Sequence, residues 1–363
     1  MRSTVTRHFA RRLVLLLPTL VGLTLVTFAL LRLIPGDPVR VLLGEHAADE
    51  QVARFRAEQG LDQPLPAQYL RYAGDLIRGD WGRSIKTNLP VTTELAQRLP
   101  ATVELGLAAM AIACVVGIPL GVLAAHRHNR AADLLSAGTA LVGVSIPLFW
   151  LGLLLAHLFG YRLGWLPPSG RLSIGIEMAS VTEAWNLEQV CGGPLGPVLI
   201  PIADVASNFY VLNSILTANF AALADVVQHL ILPALTLSVV PLAIIVRMTR
   251  ACLQDTLSQD YVRTSRAKGL PEQAVVLRHA MKNALPPIVT IVRLQLGLLF
   301  SGAILVETIF SWPGMGQLVV DRVLARDYPV VQGIVLVAAL VIVVINLATD
   351  LSYIYLDPRI RYE

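Results

Sequence analysis

Lysine is nearly missing from this chain. Three occur in 363 residues, Lys86, Lys268 and Lys282, and none follows a glycine. A phosphate-cradling loop of the form Gly-x-x-x-x-Gly-Lys-Ser/Thr is therefore excluded, and with it ATP hydrolysis by the usual P-loop route. The sequence also lacks His-Glu-x-x-His, Gly-x-Ser-x-Gly and Cys-x-x-Cys, so it offers no catalytic constellation. Cysteine is as scarce as lysine: Cys114, Cys191 and Cys252. On the topology set out below they fall within the bilayer, outside and inside respectively. No two can meet, so neither a disulfide nor a cysteine metal site is expected. Charge is short too, at 15% of residues against about 25% for a soluble domain.

Apolar sequence takes its place. The chain is 55% hydrophobic, with mean hydropathy +0.63. Several uncharged runs reach roughly 20 residues, the length that crosses ~30 Å of hydrocarbon. The net charge of +4 does not point to nucleic acid, because the arginines cluster in short loops beside apolar runs. That is the pattern of membrane orientation.

Taken in order, residues 1–12 carry four arginines and no acid, and Leu13 to Leu31 is uncharged. The run is too long for a signal-peptide core and no small-residue cleavage site follows it. An uncleaved first span with a cytoplasmic N-terminus is expected, making 1–34 a tail plus one helix. Residues 32–100 hold nine Lys/Arg and nine Asp/Glu, so 35–100 reads as a small external region. A turn at Leu61-Asp-Gln-Pro leads into a short helix there, and Gly79-Asp-Trp-Gly82 makes another turn.

The second span is Leu105 to Ala125. Its Gly117 and Gly121 stand one helical turn apart, where another helix can approach closely. His126-Arg-His-Asn-Arg130 is a short basic loop rather than a metal site, since His126 and His128 would point apart on a helix. The third span, Leu134 to Tyr161, contains Pro147 and His157. Residues 162–228 form a second external region with two arginines and five acids, a balance of 2 − 5 = −3. Within it Pro197 to Leu216 is apolar but interrupted by Asp204, Asn208 and Asn213. If it crossed, the loop 247–284, with seven Lys/Arg and three acids, would lie outside, against the positive-inside tendency. It is read as a helix at the outer surface.

The fourth, fifth and sixth spans are about Leu230 to Val246, Ala284 to Phe310 and Tyr328 to Thr349. Six spans place both termini in the cytoplasm. The expected fold is an all-α polytopic membrane protein: a core over 101–356 with the insertion 162–228 and the loop 247–284, then a tail over 357–363. Ionisable groups inside the spans are few (His157, Arg293, Glu307 and Asp350), and each needs a partner or water. Proton-driven secondary transport normally groups several near the midplane, whereas Glu307 and Asp350 lie near opposite helix ends.

The loop 247–284 holds a short basic helix, with Tyr261, Thr264, Ser265 and Lys268 broadly on one side. It ends at Gly269-Leu-Pro271, where glycine takes a left-handed cap and proline cannot continue. On the residues alone it is either a solvated linker or a rigid knob offered to a partner.

Four stretches carry a resemblance: Ile34-Pro-Gly-Asp-Pro38, Asp260-Tyr-Val-Arg-Thr-Ser-Arg-Ala-Lys-Gly269, Val306-Glu-Thr-Ile-Phe-Ser-Trp-Pro-Gly-Met-Gly316 and Leu356-Asp-Pro-Arg-Ile-Arg361. In order and spacing the chain resembles permease subunits of ATP-binding-cassette importers, the branch that takes up dipeptides, oligopeptides, glutathione or nickel chelates. The family's Glu-Ala-Ala-x-x-x-Gly docking pattern stands here as Arg263, Thr264 and Ser265 before Gly269, so an ion pair built on that glutamate is absent.

The resemblance implies a type I importer permease fold in the bacterial inner membrane. It implies a coupling helix made of Asp260, Tyr261, Arg263, Thr264, Ser265, Arg266, Ala267, Lys268 and Gly269. It further implies a homologous permease partner in a heterodimer, two ATPase subunits or domains that hold ATP and Mg, and an extracytoplasmic binding protein. No cofactor is expected on this chain. Glu307, Trp312 and Pro313 are expected to shape an outer gate, or Glu307 caps a helix or pairs with an arginine. A stand-alone secondary transporter and an intramembrane enzyme are the competing classes.

Overall fold

The structure, a computed structural model, describes residues 18–29, 48–60, 62–126, 138, 143, 145–187 and 196–356. The Ile34–Pro38 motif, the start of the third span, Cys191, His128 and the tail 357–363 lie outside the described residues. The described chain is helical, with one isolated bridge between Arg83 and Pro90. It divides into two compact units, one holding residues up to Ala96 with Leu318–Val343, the other Gln97–Gln317 with Val344–Arg361.

In the first unit α1 (Pro18–Ala29) is followed by α2 (Asp49–Gln59) and α3 (Leu65–Ile77). Phe28 of α1 meets Tyr69 of α3 edge-on at 5.4 Å, and Thr24 Oγ1 lies 3.0 Å from the Tyr69 hydroxyl. The turn foreseen at 79–82 is present, with Gly79 and Gly82 at φ +85° and +80°, where an L side chain is strained. Gly333 is also required: a Cβ there would fall 2.6 Å from Val91 and 2.9 Å from Leu95.

In the second unit α4 (Val91–His126) carries the second span, and α5 (Leu148–Leu155) continues as a π-helical stretch to Arg162. The insertion contributes α6 (Val181–Ala184), α7 (Gly196–Ser207) and α8 (Tyr210–Leu216). Next come α9 (Phe220–Leu257) and α10 (Asp260–Ala267). A short lead-in over Glu272–Ala280 opens α11 (Met281–Ile309). α12 (Met315–Leu324) and α13 (Tyr328–Leu356) follow in the chain, and their stretch Leu318–Val343 belongs to the first unit.

One stripe on α4 explains much of the packing. Ala101, Leu105, Ala109 and Ala113 recur every four residues, are all buried, and face Leu232, Leu237 and Ile245 of α9 with Leu299, Ala303 and Val306 of α11. Gly117 and Gly121 continue the stripe. A Cβ at Gly121 would sit 2.6 Å from Thr249 Cβ and 2.8 Å from the Val246 carbonyl, and one at Gly117 3.2 Å from Ile245. The close helix approach foreseen for this glycine pair is made by α9. A second cluster joins Ala125, Leu253, Val276, Ala280, Ala284 and Ile288.

Among the described residues, three helices are long and apolar enough to cross a membrane: α4, α9 and α13 over Tyr328–Thr349. Two bent pairs bring the number to five: α7 with α8, and α11 with its lead-in, bent 52° near residues 300–301. The described residues do not supply six spans. The fourth span is longer than its apolar run: α9 starts ten residues before Leu230 and runs on to Leu257. The stretch 197–216 is two helices turned by 115°. At 1.5 Å per residue, twelve and seven residues give about 18 and 10 Å, too short to cross ~30 Å of hydrocarbon.

Candidate functional site

α10 stands on one apolar foot. Val262 is its only buried residue, packing the helix toward the turn over Val275–Ala280, where Val275 and Val276 are buried as well. The residues about half a helical circuit from Val262, namely Asp260, Thr264 and Ala267, point away from the protein. They are exposed, as are Tyr261, Arg263, Arg266, Lys268 and Gly269, whereas Ser265 is half-buried. The Thr264 and Ser265 hydroxyls donate to the Asp260 and Tyr261 carbonyls at 3.0 and 2.9 Å, so both are satisfied within the helix. Gly269 ends it at φ +77°, its N–H donating to Arg266 O, as the left-handed cap requires.

A clasp closes the turn that follows. Arg266 donates to both Glu272 oxygens, Nη2 to Oε1 at 2.7 Å and Nε to Oε2 at 3.1 Å. These bonds hold the Glu272 carboxyl below its ordinary range and raise the Arg266 guanidinium above its own. Arg263 reaches Asp260 at 3.4 Å on the fully exposed side. The nine residues of the expected coupling helix therefore form one short, basic projection.

Glu307, Trp312 and Pro313 are brought together at the other end of α11. Glu307 and Trp312 are both fully buried. The Glu307 carboxylate accepts from Thr102 Oγ1 at 2.6 Å and from the Gln317 N–H at 2.9 Å. The second bond caps the first turn of α12, where a negative charge meets the positive end of the helix. Thr102 Oγ1 in turn accepts from the Met315 N–H at 2.7 Å, and Trp312 Nε1 donates to Ala101 O at 2.9 Å. Gly314 and Gly316 make room for the carboxylate: a Cβ at either would collide with it. The Trp-Pro-Gly-Met-Gly run is thus the wrapping of one buried acid, knotted to α4. His157, by contrast, is exposed on its π-helical stretch.

Sequence reasoning passed over two further buried charge groups. Glu104, read only as the edge of the second span, meets Arg171 of the insertion at 2.6 Å with both side chains under 9% exposed. Arg171 also donates to Asn208 O at 2.8 Å and lies 3.7 Å over the Tyr210 ring, while Glu104 accepts from the Val211 N–H at 2.9 Å. In the first unit Asp327 is fully buried. It accepts from Ser84 Oγ at 2.5 Å and from the N–H groups of Ile85 and Lys86 at 3.1 and 3.3 Å. Arg322 bridges Asp327 at 3.9 Å and Glu94 at 3.0 Å, and Thr87 donates to Glu94. One signal was available for the first of these: an acid flush against a long apolar run needs a partner.

Residues 117–362 match the family described as binding-protein-dependent transport system inner membrane component, and residues 5–106 match its N-terminal membrane component. The chain is 43% identical to the dipeptide transport system permease protein DppB of Escherichia coli strain K12, over 97% of this chain and 98% of that one. It is 44% identical to the di/tripeptide transport system permease protein DppB of Pseudomonas aeruginosa, covering 98% of each. To the glutathione transport system permease protein GsiC of Salmonella paratyphi A it is 37% identical, over 98% of this chain and 99% of the other. A short basic projection, long apolar helices and matches that run from end to end agree, and the chain belongs to the inner membrane components of binding-protein-dependent transport systems, the permeases of ABC importers.

Proposed function

We propose that this chain is one of two permease subunits of an ATP-driven importer of dipeptides and oligopeptides. The observation that carries the reading is the match of nearly the whole chain to dipeptide permeases, at 43–44% identity with no large gap in coverage. The chain's part is mechanical. It encloses half of a pathway and passes the closure of partner ATPases to it, while ATP and Mg stay on those partners and no cofactor is held here. A homologous permease supplies the other half, and an extracytoplasmic binding protein delivers the solute. Both termini and α10 then face the cytoplasm, and the Glu307 end of α11 faces out.

In this scheme α10, from Asp260 to Gly269, is the element that docks in an ATPase groove. Its outward face of Asp260, Thr264 and Ala267 makes the contact, flanked by Arg263 and Lys268, and the Arg266–Glu272 clasp ties it to the turn that leads into α11. Glu307, Trp312 and Pro313 tie the outer end of α11 to α4 and so set the position of the outer gate. A second reading, glutathione as cargo, draws on the relative at 37% identity.

Reconstituting the chain with its partner subunits in proteoliposomes tests both. ATP-dependent uptake of labelled dipeptides, competed by unlabelled dipeptides and not by glutathione, is expected. Uptake of glutathione alone would select the second reading. Uptake without ATPase subunits would overturn the scheme.

A further inference from the structure

The insertion contains a helix pair that is inside out. On α7 the apolar residues Leu199, Ile202 and Val205 are 41%, 59% and 44% exposed, and on α8 Leu212 and Ile215 are 42% and 55% exposed. On α8 the polar side chains turn to the protein. Asn213 and Ser214 are 2% and 0% exposed. On α7 Asp204, itself exposed, accepts from Thr182 at 2.6 Å, and half-buried Ser207 accepts from the Val181 N–H at 2.8 Å. Water would favour the opposite arrangement.

The height of this pair is fixed by one hydrogen bond. The uncharged run Leu105–Ala125 of α4 is 21 residues, about 32 Å at 1.5 Å per residue, which matches the hydrocarbon thickness. Glu104 therefore marks one edge of the hydrocarbon, and its carboxylate accepts directly from the Val211 N–H at the start of α8. The 115° break between the helices thus lies at the hydrocarbon boundary.

A chain break at that depth needs its backbone groups satisfied by protein. Arg171 takes the Asn208 carbonyl, Glu104 takes the Val211 N–H, and the two charges neutralise each other at 2.6 Å. Asn208 Nδ2 donates to the Asp204 carbonyl at 3.1 Å. Trp185, half exposed, donates its indole N–H to the Leu216 carbonyl at 3.1 Å. An amphipathic ring beside a helix end is the usual furniture of a membrane interface.

We infer that α7 and α8 form an interfacial wedge whose outward face, Leu199, Ile202, Val205, Leu212 and Ile215, is solvated by the acyl chains of the adjacent leaflet, with the Glu104–Arg171 pair sealing its break. The wedge rests on α4 being a membrane span, and not on which solute is carried.

The test uses the assembled transporter in lipid nanodiscs. The native cysteines are replaced by alanine, and an environment-sensitive fluorophore is placed on Ile202→Cys, on Ile215→Cys or, as a control, on Ile174→Cys in a fully exposed loop. At 202 and 215 a blue-shifted emission and loss of intensity with shallow doxyl-labelled lipids are expected, with no quenching by iodide. At 174 iodide quenches and the doxyl lipids do not. Iodide quenching at 202 and 215 overturns the inference in favour of water. Protection there from both quenchers overturns it in favour of a covering protein subunit. Leu199 and Leu212 serve as alternative label sites if either substitution prevents assembly. ATP-driven uptake, measured in parallel, reads the transport scheme separately.

Discussion

Glu307 is a fully buried acid, held by a threonine hydroxyl and the first turn of a helix. Removing it strands those donors, and an unsatisfied buried polar group costs about 1–3 kcal/mol. Glu307→Ala is therefore expected to lower the melting temperature of the purified complex, whereas Glu307→Gln, which keeps one acceptor, lowers it less. Uptake tracks the position of the gate in the proposed scheme, and unchanged uptake and ATPase coupling in Glu307→Gln would remove Glu307 from it.

The Arg266–Glu272 clasp gives a second prediction at this scale. Because Glu272 is held below the ordinary carboxylate value of about 4.3, its contribution is complete above that value. It is lost only as pH falls through the depressed pKa. Between pH 6 and pH 8, ATPase coupling in Glu272→Gln is expected to differ from wild type by a constant factor, without a pH trend. A trend would show that the carboxylate titrates in that range. Screening makes the pair's stabilising effect small, on the order of 0.5 kcal/mol for a half-exposed pair.

At the scale of elements, α10 depends on Val262. Its truncation to Ala empties part of a buried contact, and large-to-small core changes of this kind cost about 1–3 kcal/mol. In Val262→Ala the assembled transporter is expected to retain ATPase activity but lose its stimulation by loaded binding protein. Stimulation at the wild-type level would mean the helix does not carry the coupling. The glycine pair on α4 makes an opposite demand. Gly121→Val brings two methyl groups into space 2.6 Å from Thr249, and overpacking typically costs about 1–3 kcal/mol. Reduced thermal stability is the expected result, measured by detergent melting of the complex, and Thr249→Ala should not restore it, because the clashing Thr249 Cβ and Val246 carbonyl both remain.

How far these elements were legible in the sequence depended on whether a local rule governed them. The helix over 260–267 and its glycine stop follow from capping chemistry, which acts within a few residues. Gly117 and Gly121 announced a close approach but not its partner, because partner choice is a long-range matter. The extension of α9 ten residues beyond its apolar run was hidden by Asp225 and His229, whose polarity reads as water-facing. In the fold His229 Nδ1 lies 3.3 Å from Asp225, and Asp225 accepts from Ser173 at 2.6 and 2.8 Å. The break inside 197–216 was marked by Asn208. Its sealing by Glu104 and Arg171 joins residues 67 apart, which no local pattern encodes.

For the whole molecule, the proposed scheme places all energy conversion on other subunits and leaves this chain a purely steric task. Specificity for peptide length and sequence then resides mainly with the binding protein, and exchange of that protein for one that carries glutathione is expected to broaden uptake without any change in the permease. Uptake that stays confined to dipeptides in such a hybrid would place the filter in the pathway itself.

The glycine stripe on α4 has a mechanical consequence for that task. Thr249 and Ile245 fill the space left where Gly121 and Gly117 have no side chains, so α4 and α9 are keyed against sliding as well as against separation. α9 itself is about 57 Å long, from its 38 residues at 1.5 Å each. In the proposed scheme a push delivered where α10 follows α9 reaches α4 through this interlock, and Pro233 and Pro241 mark where α9 itself can bend.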